Sequence, residues 1–84
     1  MSGPSKRTIA KWQNRVNEWV PVGTSQEEAS RIIERHGFDV VIRNTAYLNY
    51  DKRTEGYVIS VSLQFRDGKL VFQPETIVSS QAHF

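Results

Sequence analysis

Two periodicities divide the chain near Phe38: apolar residues recur with the helical period before it and alternate with a period of two after it. Ile9, Trp12, Val16, Trp19 and Val20 form a single stripe over about residues 5–20. This predicts an amphipathic helix that stops at Pro21, because a proline disfavours helical geometry in its predecessor and has no N–H for the ladder. Arg7, Lys11 and Arg15 recur on the opposite, wet face. A second helix has a written start and stop. Thr24-Ser25-Gln26-Glu27 reads as a capping box, with Thr24 as the cap and the Glu27 carboxylate reaching back to it. Ala29, Ile32 and Ile33 supply the buried stripe, Gly37 suits the left-handed C′ position, and Phe38 then falls on Ile33.

Beyond Phe38, Val40-Val41-Ile42-Arg43 is a short β-branched strand, Asn44 a bend, Thr45–Tyr50 a further strand and Asp51–Gly56 a polar connection. The clearest strand places Tyr57, Ile59, Val61, Leu63 and Phe65 on one face, with Ser60, Ser62 and Gln64 on the other. Asp67-Gly68 predicts a type I′ hairpin turn, which sets Phe65 opposite Leu70 and Leu63 opposite Phe72. Pro74 belongs at an edge or a strand end, since it cannot donate to a ladder. These elements define an α+β domain, with two N-terminal helices packed on one face of a three- or four-stranded antiparallel meander sheet.

Length narrows the picture further. At 84 residues the chain has room for one domain, 1–84, with an ordered core of about 5–78 and frayed ends at Met1–Pro4 and Ser79–Phe84. Having 0 cysteines, it carries neither disulfides nor thiolate chemistry, Cys-type zinc sites or a lipid-anchoring cysteine. No run approaches the roughly 18 apolar residues of a membrane span, and the N-terminus lacks a signal-type apolar stretch, so a cytoplasmic location is the default expectation.

Candidate chemistry is sparse. His36 and His83 lie on either side of the predicted sheet; His36 fits the C-terminal end of the second helix, and no helical pair of metal-ligand spacing exists. Ser25, Ser30, Ser60 and Ser62 each have a cap, helix-surface or strand-surface reading, and no Gly-rich phosphate loop or nucleophile elbow occurs. Asp39, Asp51 and Glu55, with Arg43, read as surface salt pairing rather than acid–base machinery. No catalytic residue, metal or cofactor is expected, and the protein is not expected to be an enzyme. The formal charge of +2 is an N-terminal property: Lys6, Arg7, Lys11 and Arg15 face only Glu18 in the first 23 residues. This basic helix face, with Trp12, Tyr47 or Tyr50 as stacking platforms, is the alternative, a nucleic-acid contact. Interfacial membrane binding through Trp12 and Trp19 conflicts with the need of so small a core for those side chains.

The segment Val20-Pro21-Val22-Gly23-Thr24-Ser25-Gln26-Glu27-Glu28-Ala29, then a helix, then a meander closing with Leu63-Gln64-Phe65-Arg66-Asp67-Gly68-Lys69-Leu70-Val71, resembles the small outer-membrane-assembly lipoproteins of the SmpA/OmlA type. It is also similar to domains like the β-lactamase inhibitor protein, over about residues 20–72. The resemblance implies two helices on a three-stranded antiparallel sheet and a role in binding proteins. The residues depart from the lipoprotein pattern in containing no signal-type apolar stretch and no cysteine, in reading Gly37-Phe38-Asp39 where the lipoproteins have glycine then proline, and in the long first helix and extra Val40–Ile42 segment. The expectation is therefore a small protein–protein interaction module. Tyr47, Tyr50 and Tyr57 are the partner-contact candidates, and an edge strand around Thr45–Tyr50 would permit a homodimer by strand pairing.

Overall fold

The computed structural model describes residues 5–54 and 56–80. Its elements run α1 (Lys6–Trp19), α2 (Gln26–Arg35), β1 (Asp39–Arg43), β2 (Tyr47–Thr54), β3 (Tyr57–Arg66), β4 (Lys69–Leu70) and β5 (Glu75–Ser80). The architecture is the expected α+β one, two helices on an antiparallel sheet. The sheet is larger than expected, because a fifth strand follows Pro74. β1, β2 and β3 form a meander. The far side of β3 is met by β4 at Phe65–Arg66 and by β5 along Tyr57–Ser62. The two short strands thus act as one broken strand, interrupted where Pro74 has no N–H to offer.

α1 starts at Ser5, whose hydroxyl accepts from the Thr8 N–H. It docks through its C-terminal half: Val16 and Val20 are fully buried, whereas Ile9 is 37% exposed and is not part of the core. The start of α2 lies one residue later than the sequence suggests. Thr24 spends its hydroxyl on the Pro21 carbonyl at 2.6 Å, so Ser25 takes over as the cap and accepts from Glu28 N–H at 3.1 Å. The helix ends as predicted in a Schellman motif. Phe38 N–H donates to Ile33 O, Gly37 N–H donates to Glu34 O, and Gly37 takes φ 89°, which a side chain would make strained.

The core is a layer of Ile59, Val61, Leu63 and Phe65 from β3 with Leu48 and Tyr50 from β2, covered by Val16, Val20, Ala29 and Ile33. The turn at Asp67-Gly68 has positive φ at both residues, 53° and 77°, and pairs Phe65 with Leu70 as a type I′ hairpin demands. The expected Leu63–Phe72 pair is not formed. β4 ends at Leu70, the chain swings away to re-enter at Glu75, and Phe72 is left 60% exposed. The predicted frayed tail also needs correction at its start, since Ser79 and Ser80 pair with Val58 and Tyr57. The remaining frayed-end expectations fall at 1–4 and 81–84, outside the described residues.

Candidate functional site

The three tyrosines do not converge on one surface. Tyr50 is fully buried and belongs to the core, so its ring is not available to a partner. Tyr47 lies on the sheet face away from the helices, half-buried, with its hydroxyl donating to Ser62 Oγ at 3.0 Å. Tyr57 packs against the core at the opposite end of the β2–β3 hairpin. The alternation around Tyr50 reads equally well for a buried ring and an exposed one; the register with β3 sets Leu48 opposite Leu63 and Tyr50 opposite Val61, on the core side. Asn44 Oδ1 accepts from Ala46 N–H at 3.0 Å in the bend that precedes the strand.

Burying Tyr50 creates a polar network that the sequence does not announce. Its hydroxyl donates to Glu34 Oε2 at 2.9 Å and is hydrogen-bonded to Ser30 Oγ, and the same Glu34 oxygen accepts from Arg43 at 2.8 Å. Burial, the largest cause, and the neighbouring Glu34 carboxylate push the Tyr50 pKa up. The phenol therefore stays protonated near neutral pH. It is a structural bridge and cannot act as a base on Ser30. Arg43 spends its charge on Glu34, not on Asp39 or Asp51, and Glu55 lies outside the described residues. His36 forms the C-cap of α2, and its ring stacks on Trp19 at 3.6 Å between centroids; His83 lies outside the described residues. Among the described residues there is no cluster of three or more His, Cys, Asp or Glu side chains able to hold a metal ion.

Lys6, Arg7, Lys11 and Arg15 are exposed on α1, and none forms an ion pair among the described residues. Trp12, the intended stacking platform beside them, is already occupied. The Arg15 guanidinium lies 5.2 Å from its ring centroid, and the Lys52 ammonium lies 5.9 Å away while donating to His36 O at 2.8 Å.

The free surface is instead a sheet edge. The edge of β4 is covered by the α1–α2 connection: Gly23 N–H donates to Leu70 O, Leu70 N–H to Thr24 O, and Gln26 N–H to Gly68 O. α1 packs along β5, and the Gln13 side chain satisfies its start, donating to Pro74 O at 2.8 Å and accepting from Thr76 N–H at 3.2 Å. β2, which contains most of the expected Thr45–Tyr50 edge, is an interior strand paired on both sides by β1 and β3. Self-pairing there is blocked. The apolar open edge among the described residues is β1, where Val40, Val41 and Ile42 are 44%, 55% and 45% exposed; β5 is satisfied by Gln13 only at its start. Beside its end runs a groove of about 490 Å³, floored by Leu48 and walled by Gln26, Glu27 and Ser30 of α2 on one side and Arg43–Thr45 on the other. Gln26 holds the groove in shape by donating to Asn44 O at 2.6 Å.

Comparison with known proteins finds no matching family model, no matching curated protein and no matching solved structure. No helix among the described residues is long and apolar enough to cross a membrane.

Proposed function

We propose that this chain is a small, non-enzymatic protein–protein interaction module that binds its partner by strand addition to β1. The observation that carries this reading is the run of three half-exposed β-branched residues, Val40, Val41 and Ile42, on a sheet edge that no other described strand pairs with. An unpaired, apolar edge is a template for another strand: the backbone ladder supplies affinity, and alternate side chains supply selectivity.

A photo-crosslinking residue at Val41 tests the reading, with the same residue at Ile77 as control. Ile77 is also apolar and 51% exposed, but it lies on β5, along which α1 packs. Extract from the source cell should yield a discrete adduct at position 41 and none at 77; equal labelling at both, or none at either, overturns it.

A second reading, nucleic-acid binding by α1, is favoured only by the exposed cations Lys6, Arg7, Lys11 and Arg15, which form no ion pair among the described residues. It predicts single-strand affinity that falls steeply with salt and is lost on changing Lys11 and Arg15 to glutamate. A salt-insensitive or absent interaction removes it.

A further inference from the structure

We infer that the strand added to β1 is a straight segment of another protein, with the residue order acidic, apolar, apolar, basic from its N-terminus, and not a second copy of this chain. The inference rests on the strand-addition reading. Taken as a linear sequence, Asp39-Val40-Val41-Ile42-Arg43 invites self-pairing: an antiparallel copy centred on Val41 would bring each Asp39 to the other Arg43. The fold removes that match.

β1 carries a bulge at Val41, so that Asp39, Val40, Ile42 and Arg43 pair with Asp51, Tyr50, Asn49 and Leu48 respectively. Residues opposite one another in an antiparallel ladder share a sheet face. Asp39 and Ile42 therefore lie on the outer face with Asp51 and Asn49, and Val40 and Arg43 lie on the helix side with Tyr50 and Leu48. In the two-fold arrangement, Asp39 would meet the copy's Arg43, and Val40 its Ile42, from opposite faces. Sliding the copy by one residue matches faces only by setting Asp39 against Ile42 or Val40 against Arg43, a charge against an apolar side chain each time. The bulge thus denies a second copy the register in which its charges would pair, as bulges on edge strands commonly blunt self-association.

A straight strand meets no such conflict, because β2 already pairs with β1 in this way from the other side. Antiparallel to β1, its first residue lies opposite Arg43 on the helix side, at the groove of about 490 Å³. The Arg43 side chain is 55% exposed there, and its bond to Glu34 uses one N–H of the five that a guanidinium offers. An acidic side chain fits that position, with Glu27 on the rim already held by Arg31 at 3.3 Å. The next two positions face Ile42 and then Val40 and Val41, which calls for apolar side chains. The last faces Asp39, which stands directly across from Asp51 as a like-charge pair with no cation bound to either among the described residues. A basic side chain completes that row.

The test uses fluorescein-labelled peptides with the cores Glu-Val-Val-Lys, Lys-Val-Val-Glu and Glu-Val-Val-Glu, read by anisotropy, with amide shifts of the ¹⁵N-labelled protein locating the site. Glu-Val-Val-Lys should bind and shift the amides of residues 39–43, and the reversed core should bind about tenfold more weakly. In Asp39→Lys the preference should pass to Glu-Val-Val-Glu. Asp39 is exposed and its side chain forms no hydrogen bond or ion pair among the described residues, so this variant keeps the fold, which far-UV circular dichroism checks. Equal affinity for both charge orders at β1, or a β1-mediated dimer that excludes the peptides, overturns the inference while strand addition stands. Absence of any shift at 39–43 with all three peptides overturns the strand-addition reading together with it.

Discussion

Replacing Tyr50 by phenylalanine removes one oxygen from the middle of the fold and leaves the ring's apolar burial unchanged. That oxygen bridges Ser30 and Glu34. Glu34 loses little, since it keeps Arg43 at 2.8 Å and is partly solvated. Ser30, only 8% exposed, loses the one side-chain partner of its hydroxyl, and a buried polar group left unpaired costs about 1–3 kcal/mol. Tyr50→Phe should therefore destabilise by about 1–2 kcal/mol. With a urea m-value near 1 kcal/mol/M for a domain of this size, the midpoint falls by about 1–2 M. Urea titration followed by the fluorescence of Trp12 and Trp19, which pack on the core, reads it directly. Ser30→Ala alone should cost about 1 kcal/mol. The double variant should cost less than the sum of the two, because removing both partners leaves nothing unpaired. The pH dependence supplies an independent arm. In the unfolded chain the phenol ionises at its ordinary value of 10.0, and in the fold burial holds it higher. The contribution is fully present below pH 10.0 and is lost as pH rises through the raised value, because the unfolded chain ionises first. Tyr50→Phe should lose less stability than the natural protein above that pH. A cost below about 0.5 kcal/mol, additive singles and parallel alkaline profiles would together refute the bridge.

Three further outcomes follow from the packing. Leu63→Ala should cost about 2–5 kcal/mol by calorimetry or urea titration, since Leu63 is 1% exposed at the centre of β3; under about 1 kcal/mol would mean that this face of the strand is not the core. Thr76→Val should raise stability by about 0.5–1 kcal/mol, because the buried Thr76 hydroxyl has no hydrogen-bond partner among the described residues. A lower melting temperature would show that the hydroxyl is satisfied. Asp39→Lys should raise the melting midpoint slightly, by about 0.2–1 kcal/mol in stability, by turning the cross-strand Asp39–Asp51 repulsion into attraction, and the gain should shrink in high salt.

The local signals were legible where a few neighbouring residues settle the matter. The α2 stop at Gly37-Phe38 and the Asp67-Gly68 turn need particular backbone angles that those residues tolerate, and both occur as read. The alternation from Tyr57 to Phe65 set the orientation of β3, because a strand's side chains have no third direction to take. The α2 start slipped by one residue because two adjacent hydroxyls, on Thr24 and Ser25, can both cap, and a competing carbonyl at Pro21 chose between them. Phe72 and β5 were misread for one reason: past a two-residue ladder at Lys69–Leu70, the continuation is decided by which distant strand offers a free edge.

The candidate site was the least legible part. The sequence by itself determined that the chain forms two amphipathic helices and an alternating hairpin, and that it has no thiol with which to do chemistry, because periodicity, turn geometry and composition are local quantities. Only the tertiary structure decided which apolar segment stays outside. Val40-Val41-Ile42 is as β-branched as any core strand here, yet β2 takes the interior place. The α1–α2 connection covers the edge of β4, and Gln13 of α1 satisfies the start of β5. Exposure of an edge depends on what every other element has already covered, a property of the assembled sheet that no stretch of sequence carries.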